Sequence, residues 1–238
     1  MPFEIKPENL KNSVDSIKVL GIAGVNITIP HKESVMQYLD RIDPLAKKIG
    51  SVNTIVNNNG VLTGYNTDGK GFLKDLSLNG INPKGKTVLL IGAGGAGRAL
   101  AGVLSLAGAK KIFITDQDQN RAKKLSASIN KAEFEPFKTC HKRIQEADIL
   151  INATPIGMHK GDPSIIKMEH LNKNIFIYDV IYNRKTLLLE YAKKVKARHS
   201  GGLGMLLYQG AFAFELWTNK KAPVTIMKKE LLKNIAQM

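Results

Sequence analysis

Apolar and polar residues alternate through GVNITI at residues 24–29. Val25, Ile27 and Ile29 share one face, while Asn26 and Thr28 share the other. A period of two predicts a half-buried strand. Pro30 suits the first turn of a following helix, where its missing N–H is not needed, and Val35, Met36 and Leu39 give that helix an apolar face. Two β-rich runs then flank Asn59-Gly60, a pair that tolerates positive φ and predicts a hairpin. GKGFLKDLSLNG reads as a helix closing near Gly80.

Further on the pattern changes. Thr87 to Ile91 is a continuous apolar run, as a strand buried on both faces requires. A glycine turn, an Ala/Leu-rich helix and a second apolar strand, Ile112 to Thr115, follow it, and ADILINATP and NIFIYDVIYN add two more strand signals. Strands alternating with helices predict a parallel sheet with right-handed crossovers. The tail holds two helical segments, GMLLYQGAFAFELWTNK and APVTIMKKELLKNI, the second with Pro223 near its start. The fold class is therefore α/β.

Composition narrows the classes. The 238 residues suffice for one large domain or two modest ones. No apolar run is long enough to predict a membrane span, and MPFEIKPENLKNS lacks the apolar core of a secretion signal. Cys140 is the only cysteine, so no internal disulfide forms, and no Cys/His cluster has zinc spacing. A cytoplasmic protein is expected. The net charge of +15 would suit nucleic acid, but the lysines come as scattered pairs and aromatics are 6%. A basic surface that attracts small anions is the expectation, with no nucleic-acid and no membrane partner.

Gly92, Gly94 and Gly97 fit G-x-G-x-x-G between a strand and a helix. The first allows a tight turn, the second lets the backbone approach a pyrophosphate, and the third lets helix and strand pack closely. The helix N-terminus offers free N–H groups to the phosphates. Asp116 closes the next strand, roughly two dozen residues after Gly92, where an acid can accept both ribose hydroxyls and repel a 2′-phosphate. Asp116 thus predicts NAD over NADP. Asp118 adds to the repulsion, while Arg121 and Lys123-Lys124 oppose it. A glycine loop with a purely structural role is the alternative.

Lys32 raises a separate question, since it stands where the chain leaves a buried strand. Hydride transfer to a ketone needs a proton donor beside the developing alkoxide, and the reverse reaction needs a base. Lysine fills both roles where its surroundings disfavour the charged form. Asp68, in GYNTDGKG, is a candidate partner or simply a helix N-cap. A solvated surface lysine is the bland alternative, and spacing alone does not bring the two residues together.

GVNITIPHK, GSVNTIV, GYNTDGKGF, IGAGGAGRA, INATPIGM and GMLLYQGAFAFELW, in that order from about residue 3 to the end, resemble the shikimate/quinate dehydrogenase family. The resemblance implies a Rossmann-type doubly wound parallel sheet domain and a smaller α/β substrate domain with a cleft between them. It implies reduction of 3-dehydroshikimate to shikimate, or interconversion of quinate and 3-dehydroquinate, on a small anionic cyclohexene or cyclohexane carboxylate. Lys32 and Asp68 match the family's proton-transfer pair. Thr28, Asn53, Asp68, Tyr182 and Gln209 match its substrate contacts. Gly92, Ala93, Gly94, Gly95, Ala96 and Gly97, with Asp116, Arg121, Thr154, Val180 and Gly202, match its cofactor positions.

The resemblance places a discontinuous substrate domain at 1–68 with 203–238 and a dinucleotide-binding domain at 69–202, in a monomer or homodimer. Two departures stand out. The Asn-Arg-Thr run of NADP-using relatives is replaced by Asp116, Gln117 and Asp118, leaving only Arg121; NAD is preferred on that ground, though the resemblance also allows NADP. The family's opening strand and helix, with a Ser-x-Ser pair for the substrate carboxylate, are absent. The chain is expected to start inside the second strand, with one sheet edge open. Arg184 is then a candidate for binding the carboxylate in place of that pair. A relative that holds the dinucleotide without turnover, as a sensor or partner subunit, is the competing reading.

Overall fold

The computed structural model describes residues 1–235; the last three residues of the expected 203–238 segment lie outside them. Residues 1–6 form no strand, contrary to expectation. Helix α1 (Leu10–Val19) follows a short 3₁₀ turn and buries Leu10, Val14 and Ile17 at helical spacing. The first sheet contains β1 (Gly24–Asn26), β2 (Arg41–Ile42), β3 (Thr54–Asn58) and β4 (Val61–Tyr65), in the order β1-β3-β4-β2. Helix α2 (Pro44–Ile49) is capped by Asp43, which accepts from Leu45 and Ala46 N–H. The β3–β4 hairpin turns at Asn59 and Gly60, with φ of 52° and 87°, as their types predict.

Two expectations fail in this part. The strand from residue 24 ends at Asn26, and Ile29 is exposed rather than inward. No α-helix follows Pro30; Ser34–Tyr38 is a 3₁₀ turn that buries only Val35. The segment is held by long-range bonds instead, from Ile27 N–H to the Asn53 carbonyl and from Val52 N–H to the Lys32 carbonyl.

Helix α3 (Thr67–Leu78) leads into the second sheet. That sheet is formed by β5 (Thr87–Ile91), β6 (Lys111–Thr115), β7 (Ala132–Phe134), β8 (Ile149–Asn152), β9 (Phe176–Asp179) and β10 (His199–Gly201). All its pairings are parallel, in the order β10-β9-β8-β5-β6-β7. Helices α4 (Gly95–Leu106), α5 (Gln119–Ser128) and α6 (Leu187–Lys194) cover it. Val88 and Leu90 face one core with α4, while Leu89 and Ile91 face another with α6, so β5 is apolar from Val88 to Ile91. Strand order reverses between β5 and β8, and the crevice outside their carboxyl ends is where such sheets bind ligands.

Helix α7 (Leu203–Thr218) joins the two sheets. Met205 lies in the core of the parallel sheet, and Trp217 donates to the Ile55 carbonyl of β3 at 2.9 Å. Helix α8 (Val224–Ile235) packs on α7. Among the described residues no helix is long and apolar enough to cross a membrane.

Candidate active site

The crevice opens into a cleft of about 670 Å³ between the two sheets. On the wall of the first sheet, Lys32 Nζ lies 2.6 Å from Asp68 Oδ2, with both side chains mostly buried. Asp68 is not the cap of α3. Asn66 holds that position, accepting from Gly69 N–H, which leaves both Asp68 oxygens for side chains. Asn53 Nδ2 donates to Asp68 Oδ1 at 2.9 Å and to Thr67 Oγ1 at 2.9 Å, and lies 3.4 Å from Gln209 Oε1. Asn53 Oδ1 in turn accepts from Thr67 N–H at 2.7 Å. Strand β3, helix α3 and helix α7 thus contribute to one polar network, and residues 36 positions apart meet. Thr28 and Tyr182 also face the cleft and are exposed to it.

The opposite wall is mostly backbone. Gly92 has φ 109°, and a Cβ on Gly97 would collide with the Gly92 carbonyl, so both glycines meet the demand the sequence predicts. A Cβ on Gly94 would meet nothing within 4 Å, which leaves room for a ligand to approach the backbone. Gly92, Gly94, Gly95, Ala96, Asp116, Arg121, Thr154, Val180 and Gly202 line this side. Ala93 and Gly97 do not: Ala93 is buried in the core and Gly97 packs on the turn. The two walls touch, because a Cβ on Gly95 would stand 3.4 Å from Lys32 Cδ. The N-terminus beside Lys32 is therefore that of α4, not that of the helix expected after Pro30.

Sequence reasoning missed the apolar lining. Phe137, Met158, Ile165 and Leu206 face the cleft. All but Leu206 sit in irregular segments, where no period marks them. Gln117 also lines it, and Arg184 does not.

Family models match the chain in three stretches. Residues 1–55 fit the shikimate dehydrogenase substrate binding domain, 74–180 the shikimate/quinate 5-dehydrogenase model, and 202–232 the shikimate 5′-dehydrogenase C-terminal domain. Shikimate dehydrogenase (NADP(+)) of Desulforamulus reducens is 44% identical over 248 aligned residues, covering 100% of this chain and 85% of that protein. The chain belongs to the shikimate dehydrogenase family. Its fold agrees with a crystal structure of a shikimate dehydrogenase in complex with NADP+, at TM-score 0.92 and 40% identity, covering 98% of this chain and 84% of that one. A family member from Listeria monocytogenes, in complex with shikimate and NAD, gives TM-score 0.89 at 36% identity, covering 96% of this chain and 84% of that one.

The relatives named for NADP(+) overturn the NAD preference drawn from Asp116. The structure gives Asp116 a second role, which its position in the sequence does not reveal. Asp116 Oδ2 accepts from Ala93 N–H at 2.7 Å and Oδ1 from Asp118 N–H at 2.9 Å. The carboxylate ties β6 to the glycine loop, each oxygen accepting one backbone N–H, while it also lines the cleft. Asp118 is likewise engaged, capping α5 through Arg121 N–H.

The residues fit a dinucleotide. The wide turn at Gly92, the open space over Gly94 and the free N–H groups at the start of α4 suit a pyrophosphate. Gln117 and Arg121 line the same cleft.

Proposed function

We propose that this chain interconverts 3-dehydroshikimate and shikimate with NADP, using Lys32 as the proton donor and acceptor. The observation that carries the reading is the Lys32–Asp68 pair, 2.6 Å apart, placed against the glycine loop across a single cleft. A bound nicotinamide dinucleotide supplies and takes back the hydride. The chain's own residues do the rest. As the ring carbonyl of the substrate accepts hydride at carbon, the Lys32 ammonium gives a proton from Nζ to the oxygen; in the reverse direction the neutral amine takes it back. Asp68 fixes the Nζ position, and Asn53 holds Asp68 from the other oxygen. Thr28, Asn53, Tyr182 and Gln209 offer the fixed donors and acceptors that a polyhydroxylated ring requires. The basic surface draws an anionic substrate and cofactor.

On this reading 1–68 with 203–238 act as the substrate-binding unit and 69–202 as the cofactor unit, with Trp217 anchoring the returning tail on β3. The enzyme works in the cytoplasm as a monomer or homodimer. Steady-state assays with shikimate and quinate, each with NADP(+), test the proposal. NADPH formation at 340 nm with shikimate is the expected result. Cofactor binding by calorimetry with no absorbance change for either acid would favour the non-catalytic alternative instead.

A further inference from the structure

Asp179, the last residue of β9, is fully buried, and the proton transfer makes no use of it. Its Oδ1 accepts from Asn152 Nδ2 at 3.0 Å and from Ile181 N–H at 3.2 Å, and its Oδ2 accepts from the Thr186 hydroxyl at 2.7 Å. Among the described residues no lysine, arginine or histidine bonds to it. Three neutral donors hold a buried carboxylate. Such an arrangement is costly, since a hydrocarbon pair could fill the same space without desolvating a charge.

The donors lead to two different loops. Asn152 ends β8, directly opposite Asp179 in the register. With its amide turned by Asp179, its Oδ1 accepts from Thr154 N–H at 3.0 Å and from the Thr154 hydroxyl at 2.7 Å. That fixes the loop on the cofactor wall. Ile181 and Thr186 bracket Tyr182, so the other two bonds fix the loop that reaches toward the substrate. Thr186 also accepts from Leu189 N–H as the cap of α6, which commits its own hydrogen to Asp179. Burial pushes the Asp179 carboxyl above the ordinary carboxylate range, opposed by Thr186, Ile181 and Asn152, in keeping with a group that only its donors keep in place.

We propose that Asp179 is a positioning residue that sets the Thr154 loop and the Tyr182 loop in one register, so that a single buried carboxylate aligns the cofactor and substrate contacts. The inference rests on the shikimate dehydrogenase reading of the cleft. Replacing the carboxylate by an amide keeps the shape but turns one acceptor into a donor that faces donors. Replacing Thr186 by valine keeps the Cγ2 methyl, which stands 3.0 Å from where a Cβ on Gly157 would lie, and exchanges the hydroxyl for a methyl that donates no bond.

The test uses the full chain, with Asp179→Asn, Thr186→Val and Thr186→Ser. kcat and both KM values are measured with shikimate and NADP(+), NADPH affinity by fluorescence titration, and Tm for each variant. The loss of a charge-assisted bond predicts that Asp179→Asn weakens NADPH binding and raises the shikimate KM, each by about tenfold or more. Thr186→Val should raise the shikimate KM by about fivefold while NADPH affinity stays within about twofold, and Thr186→Ser should restore it, since serine keeps the hydroxyl. A fall in Tm with KM and NADPH affinity unchanged would reduce Asp179 to a structural role and overturn the proposal. If Asp179→Asn does not fold, the valine–serine contrast still tests the bond to the Tyr182 loop, and an unchanged shikimate KM in folded Thr186→Val overturns the proposal. An inactive wild-type chain would sink the reading of function, whereas unchanged NADPH binding in folded Asp179→Asn would sink this inference by itself.

Discussion

The two walls of the cleft are built from different materials. On the first-sheet wall, side chains bond to side chains: Lys32 to Asp68, Asp68 to Asn53, Asn53 to Thr67. On the parallel-sheet wall, the loop after β5 presents backbone, and the one acid beside it, Asp116, is bonded to backbone N–H groups. The difference follows from the task. A proton must leave one defined atom, so its donor needs a locked rotamer. A pyrophosphate is met by several N–H groups and a helix end, which need room more than chemistry. One wall is therefore sensitive to residue identity and the other to residue size.

Substitutions on each side sharpen that contrast. The largest effect is expected at Lys32→Ala, where turnover should fall by about 10²–10⁴ with NADPH affinity spared, the usual range for one acid–base group. Unchanged turnover would remove the role assigned to Lys32. Gly97→Ala comes next, because its Cβ would strike the Gly92 carbonyl, and backbone must shift to admit it. Overpacking of this kind costs about 1–3 kcal/mol; thermal melting should show it, together with weaker NADPH binding. A variant of native stability and affinity would mean the turn has slack.

Asp116→Ala then separates a tying role from a repelling one. Losing bonds to Ala93 and Asp118 should raise the NADP KM by about tenfold. An improved NADP KM would instead mean that the carboxylate repels the 2′-phosphate.

The smallest effect lies away from the catalytic pair. Burial disfavours the charged form of Glu135, but its bonds to Thr139 and Arg143, at 2.6 and 2.7 Å, outweigh that and hold its carboxyl below the usual range. A carboxyl lowered in the folded state stabilises it above the unfolded pKa, and that contribution is lost as pH falls through the folded value. Glu135→Gln should therefore lower the unfolding free energy at neutral pH by about 1 kcal/mol or less, given the partly exposed arginine, and Tm with it. It should also flatten the acid side of the stability curve. An unchanged acid limb would count against the pair.

The same contrast explains what the sequence made legible. The β3–β4 hairpin was readable because Asn59 and Gly60 act locally, through φ alone. β5 was readable because burial on both faces leaves no polar position from Val88 to Ile91. The cofactor loop was readable because glycine spacing is a backbone property. Pro30 misled because its local preference for a helix start lost to the long-range bonds of Ile27 and Val52. β7 and β10 are three residues each, too short to carry a period. Asp116 misled in another way. Its type and place were visible, but the direction of its carboxylate is set by the Ala93 and Asp118 N–H groups, which spacing does not reveal. Lys32 and Asp68 were named through motifs, while their meeting depends on how α3 sits against β3.

The central claim is that one ammonium, held by Asp68, faces the reacting oxygen across from the dinucleotide. A crystal structure of the chain with shikimate and NADP(+) tests it most directly. The account predicts the ring hydroxyl within hydrogen-bond reach of Lys32 Nζ, at about 2.6–3.2 Å, with the nicotinamide against Thr154, Val180 and Gly202. A ring seated away from Lys32, or a nicotinamide on the same side as the lysine, would contradict it.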